Sequence, residues 1–414
     1  MRWLAGVRRR LVITLVAVVV AALALVAFIN PGIAAKDVDL NDGGIWVVNT
    51  RERLIAHLNY PALTLDAGVR LAANNVQLYQ KGKEVVLQDV DNSTLTQIDV
   101  ANAVLSSNYS IAGDAKFLVS GQWVGIVNAQ SGKAWLLSVN DVANFNDETP
   151  ATLENLTKPI FTMGTNGEMV VVSKETGDIN IVRPVGEKIE VENSQRPEIA
   201  GREALQLSLV GTQLVILDSG SGELFLPNGE ILTIAGKMQQ LQHSSSGSDD
   251  VLVSTANAFL RISISDGEVT SRRLPQEGEP IKPVIHNGCG YAVWASQPWA
   301  IRDCADEDSD YAIPVPNLAT RNGLEFRTNR DIIVLNDKIN GGLWLPDREM
   351  FQINNWQEIN NDLKRRENRE KNVEEILEEQ KEQKEHKRSE ENHPPVAVAD
   401  TFGVRAGRAT LLPV

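Results

Sequence analysis

From Lys36 to about Asn355 the chain repeats a shape rather than a sequence. A run of β-branched and apolar residues ends in a polar turn. Glycine or asparagine follows, then a second and a third run. "MVVVSKETGDINIVRP" from Met169, "LVILDSGSGELFLPNGEILTI" from Leu214 and "IIVLNDKINGGLWLPDREMFQI" from Ile332 are clear instances. Clusters such as Asp218-Ser219-Gly220 and Lys174-Glu175-Thr176-Gly177 are hairpin signals, because their residues tolerate tight-turn dihedrals. Eight such units follow one another about 40 residues apart, the spacing of propeller blades. One unit has too few strands to bury both of its faces. Packed radially, the sheets cover one another and leave only short edges. The expected fold is therefore all-β, a seven- or eight-bladed β-propeller over residues 36–355.

"LNDGGIW" at Leu40 to Trp46 echoes "LND" from Leu335 and "GGLW" from Gly341, which suits a ring whose ends meet. An irregular β-sandwich array is the runner-up. The Gly-His and Trp-Asp signature of WD repeats is missing, so no named propeller subfamily follows.

The N-terminus sets the compartment. Arg2, Arg8, Arg9 and Arg10 precede an uncharged apolar run from Leu11 to Ile29. That run has the length of a membrane-spanning helix, and it is apolar on every side, unlike a helix half-buried in a soluble protein. Arginines on the short flank stay in the cytoplasm. The expected order is a basic cytoplasmic tail at 1–10, a single transmembrane anchor at 11–29 in the lipid bilayer, and an extracytoplasmic remainder. A cleavable signal peptide, with Gly32-Ile33-Ala34 as its small-x-small site, is the competing reading. Both export the rest of the chain.

Only two cysteines occur, Cys289 and Cys304, both in the exported part. Exported cysteine pairs favour oxidation. A disulfide between them is expected, two free thiols being the alternative.

Composition narrows the function classes. The net charge of -14 argues against nucleic-acid binding, which needs a basic stripe. His57, His243 and His286 are scattered through the repeats without zinc-ligand spacing, and read as surface or strand-end residues. No nucleophile elbow, phosphate loop or dinucleotide fingerprint occurs. The acidic stretch "DCADEDSD" from Asp303 lacks the ligand spacing and glycine of an EF-hand loop. No cofactor, metal or catalytic residue is expected. Trp46, Trp135, Trp294 and Trp344 fall in or near strands and read as blade packing.

After Trp356 the character changes. Residues 356–392 carry no glycine or proline and few apolar residues. Good helix formers dominate, and Glu367 and Lys371 have the order of a helix-surface ion pair. Leu363, Val373, Ile376 and Leu377 sustain no heptad. An exposed, charged helical spacer is expected, with disorder as the alternative.

The closing stretch "NHPPVAVADTFGVRAGRATLLPV" resembles the first strands of bacterial Ig-like, cadherin-like tandem domains. The matching positions are Asn392, Pro394, Pro395, Ala397, Asp400, Phe402, Val404, Gly407, Leu412 and Val414. The resemblance implies the start of an incomplete Ig-like domain at 393–414. The order of anchor, propeller, spacer and Ig-like opening is similar to the N-terminal part of large actinobacterial-type surface proteins. It implies a membrane-anchored, non-catalytic surface scaffold or adhesion protein whose propeller binds a surface protein or glycan. An extracytoplasmic ligand sensor or assembly factor is the alternative. A propeller hydrolase or lyase ranks third.

Overall fold

The computed structural model describes residues 43–111, 115–146, 148–186, 188–318, 323–369 and 371. The anchor at 11–29, Arg8, Arg9 and Arg10, and the Ig-like opening at 393–414 lie outside the described residues. Among the described residues no helix is long and apolar enough to cross a membrane.

Eight antiparallel sheets follow one another, each built from consecutive strands. The fold is an eight-bladed β-propeller, so of the two expected blade numbers the larger holds. Blades 2 and 4 to 8 have four strands, whereas blades 1 and 3 have three among the described residues. The innermost strands of blades 2 to 8 are Val76–Lys81, Lys116–Ser120, Pro159–Met163, Leu205–Val210, Gln240–Leu241, Val284–His286 and Leu324–Asn329.

Burial explains the repeated sequence shape. The second strands read as continuous apolar runs, because neighbouring blades cover both of their faces. Met169–Ser173, Cys289–Trp294 and Ile332–Asp337 are buried along their whole length. Outermost strands such as Lys188–Gln195 and Val269–Arg273 are exposed along theirs. The core is a ring of seams rather than one cluster. Leu217 and Leu224 of blade 5 meet Val251 and Ile262 of blade 6. Val334 and Leu343 of blade 8 meet Val47 and Leu54 of blade 1. Burying one such side chain contributes about 1.5–3 kcal/mol. Trp46, Trp294 and Trp344 are among the largest fully buried side chains, and Trp135 is buried in the seam of blades 2 and 3.

Blade 1 departs from the pattern. Its strands are Gly44–Asn49, Leu54–Asn59 and Thr64–Arg70, paired in that order. The turn after Gly44–Asn49 sits beside the turn between the second and third strands of blade 8: Thr50 N donates to Lys338 O at 2.8 Å and Arg51 N to Ile339 O at 3.1 Å. Gly44–Asn49 therefore holds the second-strand position. The innermost strands of blades 8 and 2 contact each other directly. The LND/GGxW echo is not positional: Trp46 lies on a second strand, Trp344 on the third strand, Leu343–Leu345.

Residues 356–369 are helical. The helix is not a free spacer at its start. Trp356, Ile359 and Leu363 pack into the seam of blades 8 and 1, and Gly68 has no side chain because Ile359 and Leu363 lie over it. Asn355 Nδ2 donates to Leu65 O at 2.9 Å, and Arg70 Nε bonds Glu367 Oε1 at 2.9 Å. The contacts that correct the exposed-spacer expectation for residues 356–369 come from an i, i+3, i+7 stripe, Trp356, Ile359 and Leu363; residues 372–392 lie outside the described residues.

Cys289 and Cys304 form a disulfide, with a Cα–Cα distance of 4.1 Å. Gly290 pairs with Asp303, which sets the two cysteines opposite each other at the end of adjacent strands. The acidic stretch beyond serves the next seam. Arg261 of blade 6 bonds Asp303 Oδ2 and Asp303 O, each at 2.7 Å, and Asp250 Oδ2 at 2.9 Å. Arg272 bonds Asp303 and Asp310.

Candidate binding site at the channel mouth

The turns that join first to second strands open on one face of the ring. Four blades contribute there to a cavity of about 720 Å³: Lys81 to Glu84 from blade 2, Ser120 to Trp123 from blade 3, Thr165 and Asn166 from blade 4, and Arg327 to Arg330 from blade 8. Each lining element has a local reason for its shape. Gly82 and Gly121 turn the chain at positive φ of 60° and 59°. Gly167, at φ 88°, leaves room for Trp123: a Cβ there would lie 2.2 Å from Trp123 Cδ1. Asn166 N is held by Glu168 Oε2 at 3.0 Å, and Ser120 Oγ donates to Gly164 O at 2.6 Å across the seam of blades 3 and 4. Lys81 Nζ spans from blade 2 to Thr165 O on blade 4.

The wall between blades 8 and 2 is made by side chains. The strand Gly44–Asn49 turns one backbone edge toward the channel. Trp46 N is met by Gln80 Oε1 at 2.8 Å, Trp46 O by Arg327 Nε at 2.8 Å, and Gly44 O by Asn329 Nδ2 at 2.9 Å. Asn336 takes both polar groups of Val48, its Oδ1 from N at 2.8 Å and its Nδ2 to O at 3.0 Å. Buried backbone groups left unpaired cost about 1–3 kcal/mol each, so these four side chains do the work of an inner strand.

Arg327 is buried, and its Nη1 also reaches Leu78 O at 2.8 Å and Glu325 Oε1 at 3.0 Å. Deeper in the channel, Glu325 lies 3.1 Å from Gln77 Nε2 and 3.7 Å from Lys338 Nζ. Enclosure alone raises its carboxyl, but the charges of Arg327 and Lys338, with hydrogen bonds from Arg327 and Gln77, outweigh that and hold it below the usual range. Tyr79, beneath the cavity, is pushed up by burial and donates to Gln88 Oε1 at 2.9 Å.

The histidines separate. His57 Nδ1 pairs with Asp66 Oδ1 at 2.7 Å in blade 1, away from this cavity. His286 is buried at the end of its innermost strand. His243 is exposed and follows the innermost strand of blade 6, Gln240–Leu241, which borders the channel. Enclosure first, then the Lys282 ammonium, brings it down from 6.5 to about 4, with Glu325 opposing. Its channel position was not legible from the sequence. Neither were Arg327, Asn329 and Gln80, whose partners are distant in the chain. Trp123 and Asn166 had only turn glycines beside them as a signal.

No family model matches the sequence, and no curated protein does. Among solved structures the chain is similar to one described as dihydro-heme d1 dehydrogenase NirN in complex with DHE. Identity is 12%, the match covers 79% of this chain and 75% of that one, and the TM-score is 0.55. AztD from Citrobacter koseri matches at 10% identity over 72% of this chain and 90% of its own, with a TM-score of 0.48. BamB from Moraxella catarrhalis matches at 12% over 74% and 96%, with a TM-score of 0.39. The first likeness shows the fold alone; the other two carry no argument about this chain.

Proposed function

We propose that the protein is a membrane-anchored, extracytoplasmic binding scaffold whose rim cavity takes a surface protein or a glycan, without catalysis. The observation that supports this reading is the make-up of the cavity. An indole, Trp123, stands beside the amide side chains of Gln122 and Asn166, with Lys81 and Arg330 nearby. Aromatic faces with a few oriented amides and cations suit a polar surface rich in hydroxyls or carbonyls. The nearby ionisable groups suit binding better than proton transfer. A general acid needs a carboxyl raised toward the working pH, whereas Glu325 is held ionised.

The path of the chain supports an orientation. Gly44 lies on the rim, beside Asn329 and Gly82. The helix at 356–369 runs from Leu65 toward Arg70, away from that face. With residues 11–29 as the anchor, the cavity faces the bilayer and the helix leads outward, where an Ig-like array would follow. Full-length protein in detergent micelles, applied to glycan and peptide arrays, tests the binding. Specific binding that Trp123→Ala and Asn166→Ala each reduce at least tenfold is expected. Binding untouched by both variants would place the partner elsewhere.

A further inference from the structure

Below the rim cavity the channel carries charge that the fold does not neutralise. Glu325 is committed there, to Arg327 at 3.0 Å, Gln77 at 3.1 Å and Lys338 at 3.7 Å. Lys282 stands just before the innermost strand of blade 7, largely enclosed, and among the described residues its ammonium has no hydrogen-bond or ion-pair partner. His243 stands just after the innermost strand of blade 6. Its backbone N donates to Pro283 O at 3.2 Å, which sets it beside Lys282 across the seam. Its imidazole makes no hydrogen bond among the described residues, and it senses both Lys282 and Glu325. Both segments are the innermost of their blades, and His243 and Lys282 keep solvent exposure there, which on an innermost segment is exposure toward the channel.

The charges do not balance. Arg327, Lys338 and Lys282 stand against Glu325 alone among these groups, and Arg327 and Lys338 already neutralise that carboxylate. An enclosed ammonium without a counter-charge is costly. Lys282 offers three N–H donors and His243 one or two, depending on protonation.

We propose that Lys282 and His243 form an oxyanion site in the central channel, which takes a small carboxylate- or phosphate-bearing molecule admitted through the rim cavity. The anion supplies the acceptors that the two side chains lack, and Glu325 on the neighbouring blade 8, already satisfied, does not compete for them. The site is separate from the rim residues and does not depend on a partner docking there.

Calorimetric titration of the full chain in detergent micelles at pH 6 tests the site. Citrate and inorganic phosphate are the probes, with sodium chloride at matched ionic strength as the reference. Saturable binding of one or both is expected: citrate alone identifies a carboxylate ligand, phosphate alone a phosphoryl one. Lys282→Gln should weaken binding at least tenfold, His243→Gln several-fold, and Trp123→Ala should leave it unchanged, which separates this site from the rim. Thermal melts establish that each variant is folded. Should Lys282→Gln fail to fold, Lys282→Arg keeps the charge and should keep the affinity. Absence of saturable heat with either probe overturns the proposal, as does equal affinity in folded Lys282→Gln or loss of affinity in folded Lys282→Arg.

Discussion

Arg327 of blade 8 donates from Nε to the backbone carbonyl of Trp46 in blade 1 at 2.8 Å, across 281 residues of sequence. The same guanidinium reaches Leu78 O in blade 2, so one side chain ties three consecutive blades. Among the described residues the first and last sheets exchange no strand. Side chains from the flanking blades line the channel edge of Gly44–Asn49, and the helix packs over the seam from outside.

Replacing Arg327 by methionine should therefore be costly. It leaves the carbonyls of Trp46 and Leu78 without this donor and removes the main counter-charge of Glu325. Breaking a buried pair costs about 3–5 kcal/mol. Denaturant unfolding of the variant should show a loss of that order; a loss under about 1 kcal/mol would mean that water or neighbouring groups replace the guanidinium without penalty.

Acid should destabilise the propeller in two windows. His243 titrates near 4 in the folded protein against 6.5 unfolded. The unfolded chain binds more protons between those values, so stability is full above pH 6.5 and falls as pH drops toward 4. Glu325, held below the ordinary carboxyl value of 4.5, adds a loss that begins near that value and continues below it. His243→Gln should flatten the melting-temperature profile between pH 6.5 and 4 while leaving the steeper fall below it. A profile identical to that of the unaltered protein in the upper window would show that the imidazole is not perturbed.

Reducing the disulfide should loosen the seam between blades 6 and 7. The bond closes a loop with a sequence separation of 15, worth about 3 kcal/mol in the chain-entropy model. Replacing Cys289 and Cys304 by serine should cost about that much, with faster hydrogen exchange around Arg261 and Arg272, whose carboxylate partners Asp303 and Asp310 flank Cys304. Peptide mapping without reductant should recover the two cysteines linked. Two alkylatable thiols in protein isolated from the cell surface would remove this contribution.

The C-terminal segment should divide in two. Trp356 is buried, and its Nε1 donates to Gly341 O at 2.6 Å. Trp356→Ala should cost about 3–5 kcal/mol. Deleting residues from Asn392 onward should leave the propeller's unfolding midpoint unchanged. A midpoint lowered by several degrees by that deletion would mean that the tail packs on the blades.

The architecture was legible because blade packing writes itself into every unit: an apolar run where both faces are covered, such as Met169–Ser173, then polar turns and an exposed outer strand. The disulfide was legible from two cysteines within one repeat unit that the sequence leads one to expect outside the cytoplasm. Blade 1 was not, because Gly44–Asn49 looks like any buried strand and its role depends on Gln80, Arg327, Asn329 and Asn336. The helix contacts were hidden for a related reason. Trp356, Ile359 and Leu363 form a short stripe at the start of a charged segment, and charge dominated its composition. The rim cavity was least legible, since it is assembled from turns of four blades whose residues are ordinary turn and amide types.

The central claim is that the rim cavity is the binding face. Photo-crosslinking in intact cells tests it most directly, with a photoreactive residue at Gln122 or, as a control, at the exposed outer position Glu190. A discrete adduct from Gln122, lost when Trp123→Ala is added and absent from Glu190, is the predicted result. An adduct from Glu190 with none from Gln122 would contradict the account.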